Sequence, residues 1–380
     1  MLLELFLALF LGILCGAFTG LFPGIHFNLI SIMLVSVSSY LLVYTTPLIL
    51  ATFIVAMAIT HTALDAIPSI FLGAPDEDSV MSVLPGHRLL MKGHGYAAAV
   101  YVTYGNLIAL ILMMVLTPLF VFMLPVVYPY LQKIMGIVLI AIVLMMVLLE
   151  KKKKILALLT FILAGLLGIA TINLPLQEPL LPLLTGLFGA SGLLASIHQK
   201  TIIPPQKIPH ISDIKLNKKS LFKAISASLI ASPITAFLPG LGASQAAVIG
   251  KIAMNITDEK EFLFLIGIIN TLVMGLSFVT LYVIQKTRTG AAVAVSQLLP
   301  DINLSNLTFL MGVMLVTGII AAAIAIKSAK YCAEKINAFD YKKISYSVFL
   351  ILIAVVFNFS DATMQGKILG LMIFITATAL

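Results

Sequence analysis

The sequence predicts an all-α polytopic membrane protein made of two inverted-topology repeats, with broken or re-entrant helices at Pro-Gly motifs and roughly 10 to 13 membrane segments. Three observations carry this. Of 380 residues, 61% are hydrophobic and only 10% charged, and the mean hydropathy of +1.14 lies far outside the range of soluble domains. Apolar stretches of roughly 17 to 25 residues recur from end to end, each long enough to cross a ~30 Å hydrocarbon core as a helix. A ten-residue motif, TGLFPGIHFN from Thr19 to Asn28, returns as TAFLPGLGAS from Thr235 to Ser244, 216 positions on, and matches it at Thr, Pro, Gly and the polar tenth residue.

Taken in order, the first-half segments fall near 3–22, 25–45, 47–72, 96–124, 133–149 and 155–173. A linking span near 180–197 follows. The second half reads 220–238, 240–254, 261–285, 304–327, 343–358 and 361–379. The start, MLLELF, lacks a basic n-region, so the first segment is expected to stay in the mature protein. The odd linking span turns the second motif to enter the membrane from the opposite side. The domains are therefore 1–175, the first repeat; 176–219, the linking span and a basic cytoplasmic loop; and 220–380, the second repeat.

Charge supports this layout. In a soluble protein a net charge of +8 would invite nucleic acid, but here the lysines sit in loops between spans. Lys151–Lys154, the loop carrying Lys200, Lys207, Lys215, Lys218 and Lys219, the Arg88/Lys92 loop and the loop from Lys327 to Lys343 all fall on one side when crossings are counted. That is positive-inside bias, with the N-terminus outside and the C-terminus inside, and no nucleic-acid partner is expected. Cys15 and Cys332 stand alone, without metal-ligand spacing, which argues against a disulfide framework, a zinc site or redox chemistry.

The breaks carry the functional reading. After Pro23-Gly24 and Pro239-Gly240, backbone N–H groups lose their intrahelical partners, and in hydrocarbon each orphan costs several kcal/mol unless protein, water or ligand satisfies it. A helix starting there presents free N–H groups and a positive dipole end to an anion such as a carboxylate or phosphate. Around the first break lie Thr19, His26 and Asn28; around the second, Thr235, Gly242, Ser244 and Gln245. All are expected to line a substrate site where the two breaks meet near the midplane. The bland alternative is a pair of packing kinks.

In ITHTALDAIPSIFLGAPDEDSV, His61 and Asp65 stand at i, i+4 on one helical face. An ionisable group inside a span is expensive, so Asp65, with His61 to share its proton, is the candidate for coupling to H+ or Na+; a helix-end position near the interface is the other reading. The acidic turn Asp76, Glu77, Asp78 reads as a solvated loop. Asn270 inside a span wants a partner, whether a helix neighbour, a cation or substrate. Arg88 and Arg288 are candidate gates, or only topology signals. No metal and no bound cofactor are expected.

At Pro23-Gly24, at FLPGLGASQAAVIGKIA and at LPGHRLLMKGHGYAAA, the chain resembles the large membrane permease subunit of the tripartite tricarboxylate transporters, in a short, archaeal-type form. That resemblance implies import of carboxylate anions driven by an ion gradient, with a small membrane subunit and an extracytoplasmic binding protein as partners. The sequence expectation is thus a plasma-membrane secondary transporter of small organic anions, not an enzyme, in contact with lipid and able to form a homodimer. A translocase of a lipid-linked phosphate of polyprenyl type is the alternative. An intramembrane enzyme using His26, His61 and Asp65 lacks a nucleophile elbow or metal motif.

Overall fold

The computed structural model describes residues 2–22, 26–73, 80–150, 153–177, 179–191, 193–194, 203–238, 240–287, 289–336 and 341–379. Every regular element among them is helical. In the first half these are α1 (Leu2–Leu21), α2 (Phe27–Ser36) with a further helical turn at Ser38–Leu41, α3 (Pro47–Leu64) running on into α4 (Ala66–Leu72), α5 (Val80–Met91), α6 (Gly95–Leu149) and α7 (Lys154–Ile172). A short α8 (Leu180–Leu184) continues as a π-helical turn, Thr185–Ala190. The second half comprises α9 (Lys218–Phe237), α10 (Ala243–Ala253), α11 (Glu259–Ile284), α12 (Gly290–Leu298), α13 (Leu304–Lys335), α14 (Tyr341–Phe359) and α15 (Met364–Ala379). Among the described residues seven helices, with α3 and α4 taken as one, are long and apolar enough to cross a membrane.

Small residues fix how the first elements lie. Gly12, Gly16 and Gly20 repeat every fourth residue and so share one face of α1. A Cβ at Gly12 would stand 2.6 Å from Phe53 O, one at Gly16 would overlap Met57 O, and one at Gly20 would stand 2.8 Å from His61 O. The contact numbers rise together, so α1 and α3 run parallel with their backbones nearly touching. Residues 22–46 must therefore bring the chain back across. They hold the 10-residue α2, about 15 Å long at 1.5 Å per residue, which is half a hydrocarbon core. The 11-residue α10 holds the same place after α9.

The centre of the molecule is built from one helix of each half. Every residue of α11 from Glu261 to Leu281 is buried, and so is every residue of α3 from Ile49 to Leu64 except Phe53. The halves interlock: α11 packs against α6, α3 against α13, α2 against α12, and α10 against α5. A second, smaller cluster of Ala190, Leu193, Leu352, Val356 and Phe374 holds the π-turn to α14 and α15.

Several sequence expectations change here. The spans near 96–124 and 133–149 are one continuous helix, α6, which carries Pro118, Pro125 and Pro129 inside it. In apolar surroundings a helix that loses single bonds at prolines still satisfies more backbone than a loop does. The segments near 25–45 and 240–254 are short helices rather than full crossings. Two further short helices, α5 and α12, stand where the sequence read as loop. Residues 203–217 strap one end of the bundle: Lys207 N–H donates to Gly93 O (2.8 Å), Gly95 N–H to Gln206 Oε1 (2.8 Å), and Tyr104 O–H to Ile211 O (3.0 Å).

Candidate functional site

The end of α1 and the start of α2 meet the middle of α3. Thr19, 1% exposed, donates its hydroxyl to Gly16 O (3.2 Å) and lies 3.0 Å from His61 Nδ1. The arrangement that uses both contacts puts a proton on His61 Nδ1, donating to Thr19. His26 caps α2 by accepting the Asn28 N–H at Nδ1 (3.2 Å), which assigns the His26 ring proton to Nε2 and makes that edge a donor. The two imidazoles stack obliquely at 4.7 Å, and Phe27 meets His61 edge-on at 5.0 Å. An N-cap histidine, a threonine and a buried histidine are thus locked together by hydrogen bonds and ring contacts.

The partner of this break comes from the other half. The Asn28 carboxamide lies where a side chain at Gly290 would stand, and its Oδ1 is buried without a hydrogen-bond partner. Gly290 opens α12. Thr289 caps that helix, accepting from Ala292 N–H (3.3 Å) and sharing a 3.0 Å hydrogen bond with the Ser277 hydroxyl of α11. Two helix N-termini, at Phe27 and at Gly290, therefore abut across the boundary between the halves, and their positive ends add at one place.

The second break is built differently. Thr235 is 1% exposed, but its hydroxyl stays on its own helix, donating to Ser232 O (3.1 Å). Gly240 takes a left-handed conformation (φ 75°), Gly242 caps α10, and the Gln245 Oε1 folds back to accept the Gly242 N–H (3.0 Å). Ser244 is buried in the first turn of α10. Phe237, at the end of α9, stacks edge-on with Phe120 at 5.1 Å. The main neighbours of α10 are α9 and α11 of its own half, with a lighter contact to α5, whereas α2 packs mainly on α12 of the other half and on α3.

Residues 6–380 match the tripartite tricarboxylate transporter TctA family. The chain belongs to that family. A relative, an uncharacterized protein of Methanocaldococcus jannaschii, is 28% identical over 320 residues, which span 81% of this chain and 77% of the relative. No solved structure matches the chain. Membership in a transporter family, together with seven helices able to cross a membrane, makes this a multi-pass membrane protein of the transporter class.

In this TctA-family chain the remaining predicted site residues are dispersed. Asp65, 3% exposed, sits at the α3–α4 junction one turn beyond His61, its N–H donating to His61 O (2.9 Å) and its carbonyl accepting the Ser69 hydroxyl (2.9 Å). Asn270 is buried in mid-α11. Arg88 is exposed and paired, with Lys92, to Glu259 at the start of α11, at 3.6 and 3.1 Å. Pro23, Gly24, Pro239, Arg288 and the acidic turn at 76–78 lie outside the described residues. A cavity of about 270 Å³ lies under the strap, lined by Tyr104, Ile211, Ile214, Leu221 and Phe264, away from both breaks. Sequence reasoning missed Ser277 and the pairing of Asn28 with Gly290. A threonine immediately before GAAVAVSQL is the N-cap signal that announces α12.

Proposed function

We propose that this protein is a secondary active transporter of small organic anions such as carboxylates, driven by an ion gradient across the plasma membrane. The observation that carries the reading is the meeting of two helix N-termini, Phe27 from one half and Gly290 from the other, beside the donor edge of His26 and the Asn28 carboxamide. Backbone N–H groups and two dipole ends attract negative charge. Because they belong to different halves, relative movement of the halves opens and closes the place where charge is held, which is what alternating access requires. Family membership supports the transport class and gives no support to a lipid-linked phosphate or to catalysis.

In this reading the halves are inverted-topology repeats, each contributing a full helix, a break, a half-helix and a central helix. The parallel course of α1 and α3 and the reciprocal packing of α2 on α12 and α10 on α5 support it. The second break, with Thr235, Gly242, Ser244 and Gln245, is then the counterpart site facing α5 rather than the other wall of a single site. His61 and Asp65, one turn apart and buried, are the groups through which a proton is coupled. A small membrane subunit and an extracytoplasmic binding protein are the partners proposed from the family's tripartite description.

Purified protein in liposomes tests this: labelled di- and tricarboxylates should accumulate when an H+ or Na+ gradient is imposed and leak out when it is dissipated. Asn28→Ala and Thr289→Ala should each raise the half-saturating anion concentration about tenfold, matching the ~1.5 kcal/mol lower range for a hydrogen bond to a charged group. Uptake unaffected by either substitution would place the anion elsewhere.

A further inference from the structure

We propose that Asn106 of α6 and Asn270 of α11 form a binding site for a monovalent metal cation at the crossing of the two halves. This rests on the transport reading for its purpose but not for its chemistry. The two helices touch backbone to backbone: a side chain at Gly105 would overlap Phe264 O, and one at Gly267 would overlap Val102 O. Gly275 meets Met113 farther along, so the contact numbers rise together and α6 and α11 run parallel. Asn106 Oδ1 lies 3.1 Å from the position of a Cβ on Gly267, and Asn270 is one helical turn beyond Gly267. With parallel axes and these contacts, the 100° step per residue of an α-helix turns both asparagines to the same side of the crossing.

Both residues are 4% exposed. Asn106 has neither amide atom hydrogen-bonded, and Asn270 Oδ1 has no partner. A buried carboxamide left in this state costs of the order of 1–3 kcal/mol per group, which is hard to account for at the centre of a membrane bundle unless something binds there. α13 closes the same side: Gly318 packs on Leu110, one turn from Asn106, and the neighbouring Thr317 is fully buried with its hydroxyl unpartnered.

The donor set decides the ligand. Carboxamide and hydroxyl oxygens do not titrate, so the site cannot carry a proton as His61 and Asp65 can. Neutral oxygens from three helices suit a dehydrated monovalent cation, whereas divalent cations draw on carboxylates, of which this crossing has none among the described residues. Because the ligands come from both halves, a cation bound there holds α6 and α11 together and biases the same interface that α2 and α12 form.

Thermal unfolding of the purified full chain in detergent, without any organic anion, tests the site. NaCl and KCl are compared with choline chloride at equal ionic strength. One of the two metal ions should raise Tm by at least ~2 °C over choline. Asn106→Ala and Asn270→Ala should weaken the half-saturating cation concentration at least tenfold, and Asn106→Asp, which keeps an oxygen ligand, should retain the response. Asn106→Leu, nearly isosteric and apolar, should lose the response while folding, and stands in if the alanine variants do not fold. Equal responses in folded wild type and Asn106→Leu overturn the site, as does no difference between the metal ions and choline. Loss of the response in Asn106→Asp with an anion-dependent rise in Tm assigns the carboxamides to the anion instead. Cation binding intact without any anion uptake would overturn the transport reading and leave this site standing.

Discussion

Thr19 and His61 meet beside the first break in a buried contact of 3.0 Å, so the threonine hydroxyl is worth more than its size. Thr19→Val keeps the shape and removes the acceptor, leaving a buried imidazole N–H unpaired at a cost of about 1–3 kcal/mol. The expected outcome is a lower midpoint in denaturant-induced unfolding in detergent, with the slope unchanged. Gly290 is constrained from the other side. Its missing side chain is the space that Asn28 fills, so Gly290→Ala should destabilise by about 1–3 kcal/mol through overpacking. Asn28→Ala makes room for the new methyl group, and the double variant should recover most of that loss. A double-mutant cycle with a coupling energy near zero would show that the two residues do not share that space.

At the scale of elements, each Pro-Gly step ends one helix and starts another, and its effect on stability is smaller than its effect on position. Gly240 has φ 75° with no atom within 4 Å of where a Cβ would stand. Gly240→Ala therefore meets no clash and costs only the left-handed backbone strain, about 1–2 kcal/mol. Folding by size-exclusion and thermal unfolding should survive, while transport falls if the αL turn aims the start of α10. The breaks were legible because proline and glycine act locally, through the backbone of their own residues. The long helices were legible because length and apolarity suffice. What the sequence did not disclose were α5 and α12, each too short and too mixed in polarity to register as a span, and the unbroken course of α6 through the gap between two expected spans, where Pro125 and Pro129 fall. The contact of Asn28 with Gly290 spans more than 260 positions and depends on how the halves dock. No single-sequence period encodes that.

Across the whole molecule, the halves meet through polar contacts at one end, through glycine-backed helix crossings at the centre, and through Asn28 on Gly290 at the first break. The exposed pairing of Arg88 and Lys92 with Glu259 contributes at most about 1 kcal/mol and is readily broken, so it cannot hold the halves in one state. The α2–α12 contact is the better place to stop motion. A Cβ at Gly290 would stand 3.0 Å from Asn28 Cβ, slightly inside the 3.5–4.5 Å range of disulfides and reachable with a small shift. In a background with Cys15 and Cys332 replaced by serine, Asn28→Cys with Gly290→Cys should crosslink under mild oxidation, read as protection from thiol labelling. If the halves must separate there in each cycle, the crosslinked protein loses uptake and regains it on reduction, although the pair of substitutions also weakens anion binding in the reduced form. Either single cysteine variant should be insensitive to oxidant. Full crosslinking with undiminished uptake would mean that α2 and α12 move as one body, and the moving boundary would then have to lie at the α6–α11 crossing.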